Sequence, residues 1–153
     1  MKPIPPGHNS VSPYLIVDGA ARALEFYARA FGAVELMRHG APGGKIGHAE
    51  IRIGDTVVML ADEHPDHDAY APKKFGGSPV RLHLYVEDVD AVVQRAVAAG
   101  AKLTRPVADQ FYGDRNGAVE DPFGHSWHVS THIEDVSAEE LQRRMAAMAK
   151  DKP

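Results

Sequence analysis

The chain has no cysteine, a single tryptophan, no apolar run long enough to cross a bilayer and no surplus of basic residues. Without cysteine there are no disulfides, no thiolate metal sites and no cysteine nucleophile. Lysine and arginine number 17 against 21 acidic residues, a formal net charge of -4, so the surface has no excess positive field to hold a phosphate backbone. Nucleic acid is therefore not an expected partner. Met1 to Ser10 is rich in proline and polar residues without an apolar core, so neither a signal peptide nor a membrane partner is expected, and the expected location is cytoplasmic.

What is present is enough for a core: 153 residues, 44% of them hydrophobic, fit one domain spanning 1–153. Val11–Val17 reads as a strand closed by Asp18-Gly19. From Ala20 to Phe31 the spacing of Ala20, Leu24, Tyr27, Ala28 and Phe31 predicts a helix with one buried stripe, stopped by Gly32. Val34–Arg38, Lys45–Ile53 and Asp55–Ala61 alternate as strands. The same order then recurs. Arg81–Val86 is a strand, Asp88 caps a helix with Val89, Val92, Val93, Ala96 and Val97 buried, and Lys102–Val107, Arg115–Glu120 and Ser126–His132 follow as strands. The duplication divides the domain into a first module of about 11–62, a linker of 63–79 and a second module of about 80–132. A capping-box pattern at Ser137 opens a C-terminal helix of about 138–149, with Leu141, Met145 and Met148 on a side that docks on the sheet or on a second subunit. The linker's His64 and His67, separated by a proline, read as part of a solvated connector.

Side-chain alternation separates the strands into a bulky face for the helices and a second face carrying chemistry. In Asp121-Pro122-Phe123-Gly124-His125-Ser126-Trp127-His128 a proline and a glycine force a turn, after which Ser126, His128 and Ser130 oppose Trp127, Val129 and Thr131. By the same reasoning Arg81, His83 and Tyr85 share the second face, as do His48, Glu50 and Arg52, and Ser12, Tyr14 and Ile16.

The repeat resembles the vicinal oxygen chelate superfamily, which includes glyoxalase I, extradiol dioxygenases and the fosfomycin and bleomycin resistance proteins. The resemblance rests on Leu24-Glu25-Phe26-Tyr27, Phe31-Gly32-Ala33, His48-Ala49-Glu50, Val86-Glu87-Asp88-Val89-Asp90 and Asp121-Pro122-Phe123-Gly124-His125. It covers roughly Val11 to His132 and is closest to the PhnB-like group in Asp109-Gln110-Phe111-Tyr112-Gly113-Asp114-Arg115. It implies an α+β fold: two βαβββ modules forming a cupped mixed β-sheet with the helices outside, here followed by the C-terminal helix. It also implies metal-ligand positions on four strands, which fall on Ser12, Met59, Arg81 and His128. Only the last is an ordinary ligand for a divalent ion, and Arg81 would set a fixed positive charge beside it.

The expectation is accordingly a glyoxalase-like or bleomycin-resistance-like homodimer that binds a small anionic or planar ligand in the cup without the superfamily's metal. His83 and His128 are the candidate acid-base groups and Arg81 the anion clamp. Ser12, Tyr14, His48, Glu50, Met59, Tyr85 and Arg115 are further candidate ligand contacts, although Arg115 also suits bracing its turn against Asp109 or Asp114, and Arg81 also suits a pair with Glu50. Two alternatives stand beside this. One is a metal-dependent lyase or dioxygenase with ligands relocated to His83, His128 and Glu50; the other is a structural or regulatory dimer with a vestigial cup.

Overall fold

Gly19 has no side chain to cap the helix that follows it, and a neighbouring strand does so instead. The Asp62 carboxylate accepts hydrogen bonds from the Gly19 and Ala20 amides at 2.9 Å each, and from Ile46 at 2.8 Å. The computed structural model describes residues 1–151. Its first module runs β1 (Tyr14–Val17), α1 (Ala20–Phe31), β2 (Val34–Ala41), β3 (Lys45–Ile53) and β4 (Thr56–Asp62). The second runs β5 (Arg81–Tyr85), α2 (Val89–Ala98), β6 (Lys102–Asp109), β7 (Asp114–Glu120) and β8 (Ser126–His132), and α3 (Ala138–Lys150) follows. Each module closes its own four-stranded mixed sheet, in the orders β1-β4-β3-β2 and β5-β8-β7-β6. The parallel pairs are β1 with β4 and β5 with β8, as a helical crossover after the first strand requires.

α1 packs on α2, each helix also lies against its own module's sheet, and the core is continuous across both modules. Tyr27 and Phe31 of α1 meet Trp127 of β8, with ring centroids 5.5 and 4.6 Å apart, and Phe123 completes the cluster. The turn before β8 is the bolt of this joint. Asp121 accepts from the Tyr27 hydroxyl (2.6 Å), the Trp127 indole (2.9 Å) and the Phe123 and His125 amides (2.9 and 3.0 Å). The His125 imidazole bonds the Ile16 carbonyl of the first module at 2.9 Å.

Several boundaries differ from expectation. β1 begins at Tyr14 rather than Val11, because Pro13 ends the preceding segment; its carbonyl accepts from the Met59 amide at 2.9 Å. β2 runs on to Ala41, with one register shift against β3 before Arg38 and another after His39. The 63–79 connector has 3-10 turns at Pro65–His67 and Pro72–Phe75, and it buries Ala71 and Pro72. α3 buries none of its residues: Met145 and Met148 are exposed, and it is held through Arg144, which pairs with Glu134 and donates to the Phe111 carbonyl.

Candidate functional site

Residues paired across a sheet form rows, and the rows define what each polar face offers. On the first sheet Tyr14 stands beside Met59, Met59 beside Glu50, and Glu50 beside Met37. Glu50 is fully engaged. His48 Nε2–H donates to one oxygen at 2.8 Å and His8 Nε2–H to the other at 2.9 Å. That arrangement leaves His48 Nδ1 to accept from the Tyr14 hydroxyl at 2.8 Å. His8 belongs to the N-terminal segment, which lies along this face; Gly7 sits beside the Arg52 guanidinium, and Val57 below is only 2% exposed.

The His48 hydrogen bond, against the cost of partial burial and aided by His8, holds the Glu50 carboxyl below its ordinary value of 4.5. A depressed carboxyl contributes stability that is full above its unfolded value and lost as pH falls through the folded one. The N-terminal segment is therefore expected to stay fixed at neutral pH and to loosen as pH drops below about 4.5. Heteronuclear NOEs of residues 7–10 check this. His8→Ala should reproduce the loosened state at pH 7, and unchanged NOEs in both cases would remove Glu50 as the anchor.

The second sheet carries the opposite charge. Its central row is His83, His128, Ala118 and Arg105, and the next row is Arg81, Ser126, Glu120 and Lys102. The His83 and His128 rings are 6.2 Å apart; His83 stacks on Tyr85 and shares a 2.9 Å hydrogen bond with the Ser130 hydroxyl. Arg105 donates to the buried Asn116 at 2.9 Å. Among the described residues neither Arg81 nor Arg105 forms an ion pair. Burial first, then the charges of Arg105, Arg81 and His83, push the His128 imidazole below its ordinary 6.5, which favours its neutral form. At the end of this face Tyr85 donates to Asp114 at 2.9 Å, and His132 holds the same carboxylate at 2.8 Å.

The structure separates several candidates from this face. Arg115 lies on the helix side of β7, where Asp90 of α2 and Asp109 hold its guanidinium at 2.8 and 3.0 Å; with odd-numbered residues of β7 turned to α2, it braces the turn and does not reach the ligand face. Ser12 precedes β1, and the neighbour of Met59 is Tyr14. His83 rather than Arg81 stands beside His128. Glu50 forms no pair with Arg81. It sits on the other sheet from His83 and His128, so these three are not grouped as ligands, and among the described residues no other such trio is. At the paired positions the sheets offer the Tyr14 phenol and the Met59 thioether on one and the His83 and His128 imidazoles, with Arg81 one pleat away, on the other; two ordinary ligands beside a fixed positive charge do not fit the superfamily's ion.

A cavity of about 570 Å³ lies elsewhere, at the end of the first sheet, among Tyr14, Ile16, Lys45, Ile46, His64 and His67. Its Asp62 caps α1 and its Glu63 holds the Ala71 amide, while His64 and His67 stack on each other with ring centroids 4.0 Å apart; what it lacks is the free guanidiniums of the second sheet. We place the chemistry on the second sheet for that reason. His8, Arg105 and Asn116 were not singled out in the sequence. His8 precedes all regular structure, and Arg105 lies in a strand whose alternation a bulge interrupts.

The profile of the Glyoxalase/Bleomycin resistance protein/Dioxygenase superfamily matches residues 8–129. The chain belongs to this superfamily. An uncharacterized protein of Mycobacterium tuberculosis, Rv0887c, is 45% identical over 141 residues, covering 90% of this chain and 83% of its own. Among solved structures, TioX from Micromonospora sp. ML1 is 28% identical with a TM-score of 0.62, covering 84% of this chain and all of its own. The Arabidopsis thaliana gene product At5g48480 is 26% identical with a TM-score of 0.64, over 80% of this chain and 98% of its own. The superfamily membership agrees with the duplicated βαβββ modules.

Proposed function

We propose that this superfamily member binds a small anionic ligand on the polar face of its second sheet without the superfamily's metal ion. The observation that carries the reading is the His128 imidazole set between two guanidiniums, Arg81 and Arg105, neither of which forms an ion pair among the described residues. Arg81 offers a planar two-pronged donor to a carboxylate or phosphate, and His83 and His128 donate to or accept from the bound group. Tyr85, 59% exposed and stacked on His83, forms one wall. If the ligand reacts, a proton leaves it for one imidazole and returns from the other. The Asp109–Arg115 run supports placing the chain in the PhnB-like group. We further take it to act as a cytoplasmic homodimer, for which the uncovered methionine side of α3 offers surface.

The test is titration of inorganic phosphate into the full chain at constant ionic strength, followed by the imidazole proton resonances. His83 and His128 should shift in a saturable way, and Arg81→Ala should weaken binding about tenfold, the loss of roughly 1.4 kcal/mol. Shifts no larger than those with chloride would overturn the proposal.

A further inference from the structure

We propose that the ligand of this face is a small organic dianion, with one anionic group held by Arg81, the other by Arg105, and its middle over His128 and Ala118. This rests on the anion-binding reading above and narrows it. Arg105 belongs to the outermost strand, but its guanidinium does not hang at the edge. The hydrogen bond from its Nη2 to Asn116 Oδ1 draws it inward over β7. Asn116 is 1% exposed and is itself fixed, donating to the Tyr112 hydroxyl at 2.7 Å. A neutral amide orients the guanidinium without cancelling its charge, whereas a carboxylate at that position would have consumed the site.

The backbone aims Arg105 in the same direction. It pairs with Ala118 between two register shifts, one on each side, so this segment of β6 bulges. The bulge closes onto Gly117 of β7. A Cβ there would stand 3.1 Å from the Arg105 carbonyl oxygen and 2.8 Å from the Val107 side chain, so the bare glycine lets the strand approach. Between Arg105 and His128 the row holds only the methyl group of Ala118, which leaves a shallow floor. Arg81 lies on the far side of His128, one strand over and one pleat along. Three strand spacings of about 4.8 Å and one pleat of offset put the Arg81 and Arg105 backbones on the order of 16 Å apart, and the inward lean of Arg105 shortens the gap between the charges to one that a two-headed ligand bridges better than a single carboxylate. Both are near enough to His128 to lower its proton affinity.

The first module shows that this pattern is not a general property of the repeat. The matching row there is Tyr14, Met59, Glu50 and Met37, with a carboxylate where the second module has Ala118 and a thioether where it has Arg105. On the second sheet the nearest carboxylate of the neighbouring row, Glu120, stands two strands from Arg81, beside Ser126 and opposite Lys102. Asp114, at the far end, is occupied by Tyr85 and His132.

The experiment compares succinate and glutarate with butyrate and valerate, chains of matched length, by calorimetry on the full chain at constant ionic strength. At least one dicarboxylate should bind ten times or more tighter than its monocarboxylate partner. Arg105→Gln should erase that preference, bringing the dicarboxylate down to the affinity of its monocarboxylate partner. Tyr112→Phe, which frees Asn116 without emptying the core, should reduce dicarboxylate affinity several-fold and spare the monocarboxylate, as expected for a positioning residue. Equal binding of the two classes, or a preference that survives Arg105→Gln, overturns the dianion proposal alone. Binding of neither class, together with silent imidazoles in the phosphate titration, overturns the anion-binding reading beneath it.

Discussion

Replacing Asp121 with alanine is expected to remove about 3–5 kcal/mol of folding stability, measured by urea denaturation at neutral pH. The carboxylate is 3% exposed and accepts four hydrogen bonds, two from side chains in the aromatic core and two from the turn that starts β8. Without it the Tyr27 hydroxyl and Trp127 indole are buried donors without partners, each costing about 1–3 kcal/mol. The phenol bond also ties α1 of the first module to the turn of the second, so the loss falls on the joint. Burial, reinforced by the Asp121 charge, keeps the Tyr27 phenol protonated far above its ordinary range, so it remains a donor throughout the working pH range. Tyr27→Phe, which removes one donor with its partner left satisfied by three others, should cost only about 1–2 kcal/mol. A loss below about 1 kcal/mol for Asp121→Ala would show that the turn holds without its carboxylate.

Gly113→Ala is expected to be nearly as damaging, about 2–4 kcal/mol. The residue has φ +99, and an added Cβ would overlap the Glu134 carbonyl oxygen and press on the Val136 side chain. Its own carbonyl accepts from the Ile133 and Glu134 amides, so the turn between β6 and β7 is clamped against the segment leaving β8. Movement to relieve the overlap would break that clamp and disturb Asp114 and Tyr112 on either side. Thermal unfolding measures the loss. Ligand binding to the remaining folded protein should weaken too, because Tyr112 positions Asn116. A variant of unchanged stability would show that the 133–136 segment shifts freely.

These two residues mark the division between what local pattern reveals and what it does not. Asp121-Pro122-Phe123-Gly124 was legible as a turn, since proline and glycine act on their own backbone. That its aspartate closes a joint with Tyr27, 94 residues earlier, was not, because nothing local records which buried donors converge on a carboxylate. Arg115 illustrates the reverse case. Its charge suggested a ligand, but a face is assigned by counting along the strand, and the strand begins at Asp114, which turns Arg115 toward α2.

By itself the sequence determined the duplicated βαβββ order, most of the stripes of α1 and α2, in which only Ala28 and Val97 were expected buried and are exposed, the alternation of β3 and β8 and the side on which His83 and His128 lie. Each follows from periodicities of 2 and 3.6 acting within one element. Only the tertiary structure decided that there are two separate sheets, that His83 rather than Arg81 stands beside His128, that Glu50 is held by His8 and His48, and that Arg105 leans over β7. Parallel strands joined by a crossover can shift by two residues and keep both their hydrogen bonds and their faces, so register is chosen by packing of the shared core. The partners of a charged side chain on a face follow from that register, and the chemistry follows from the partners.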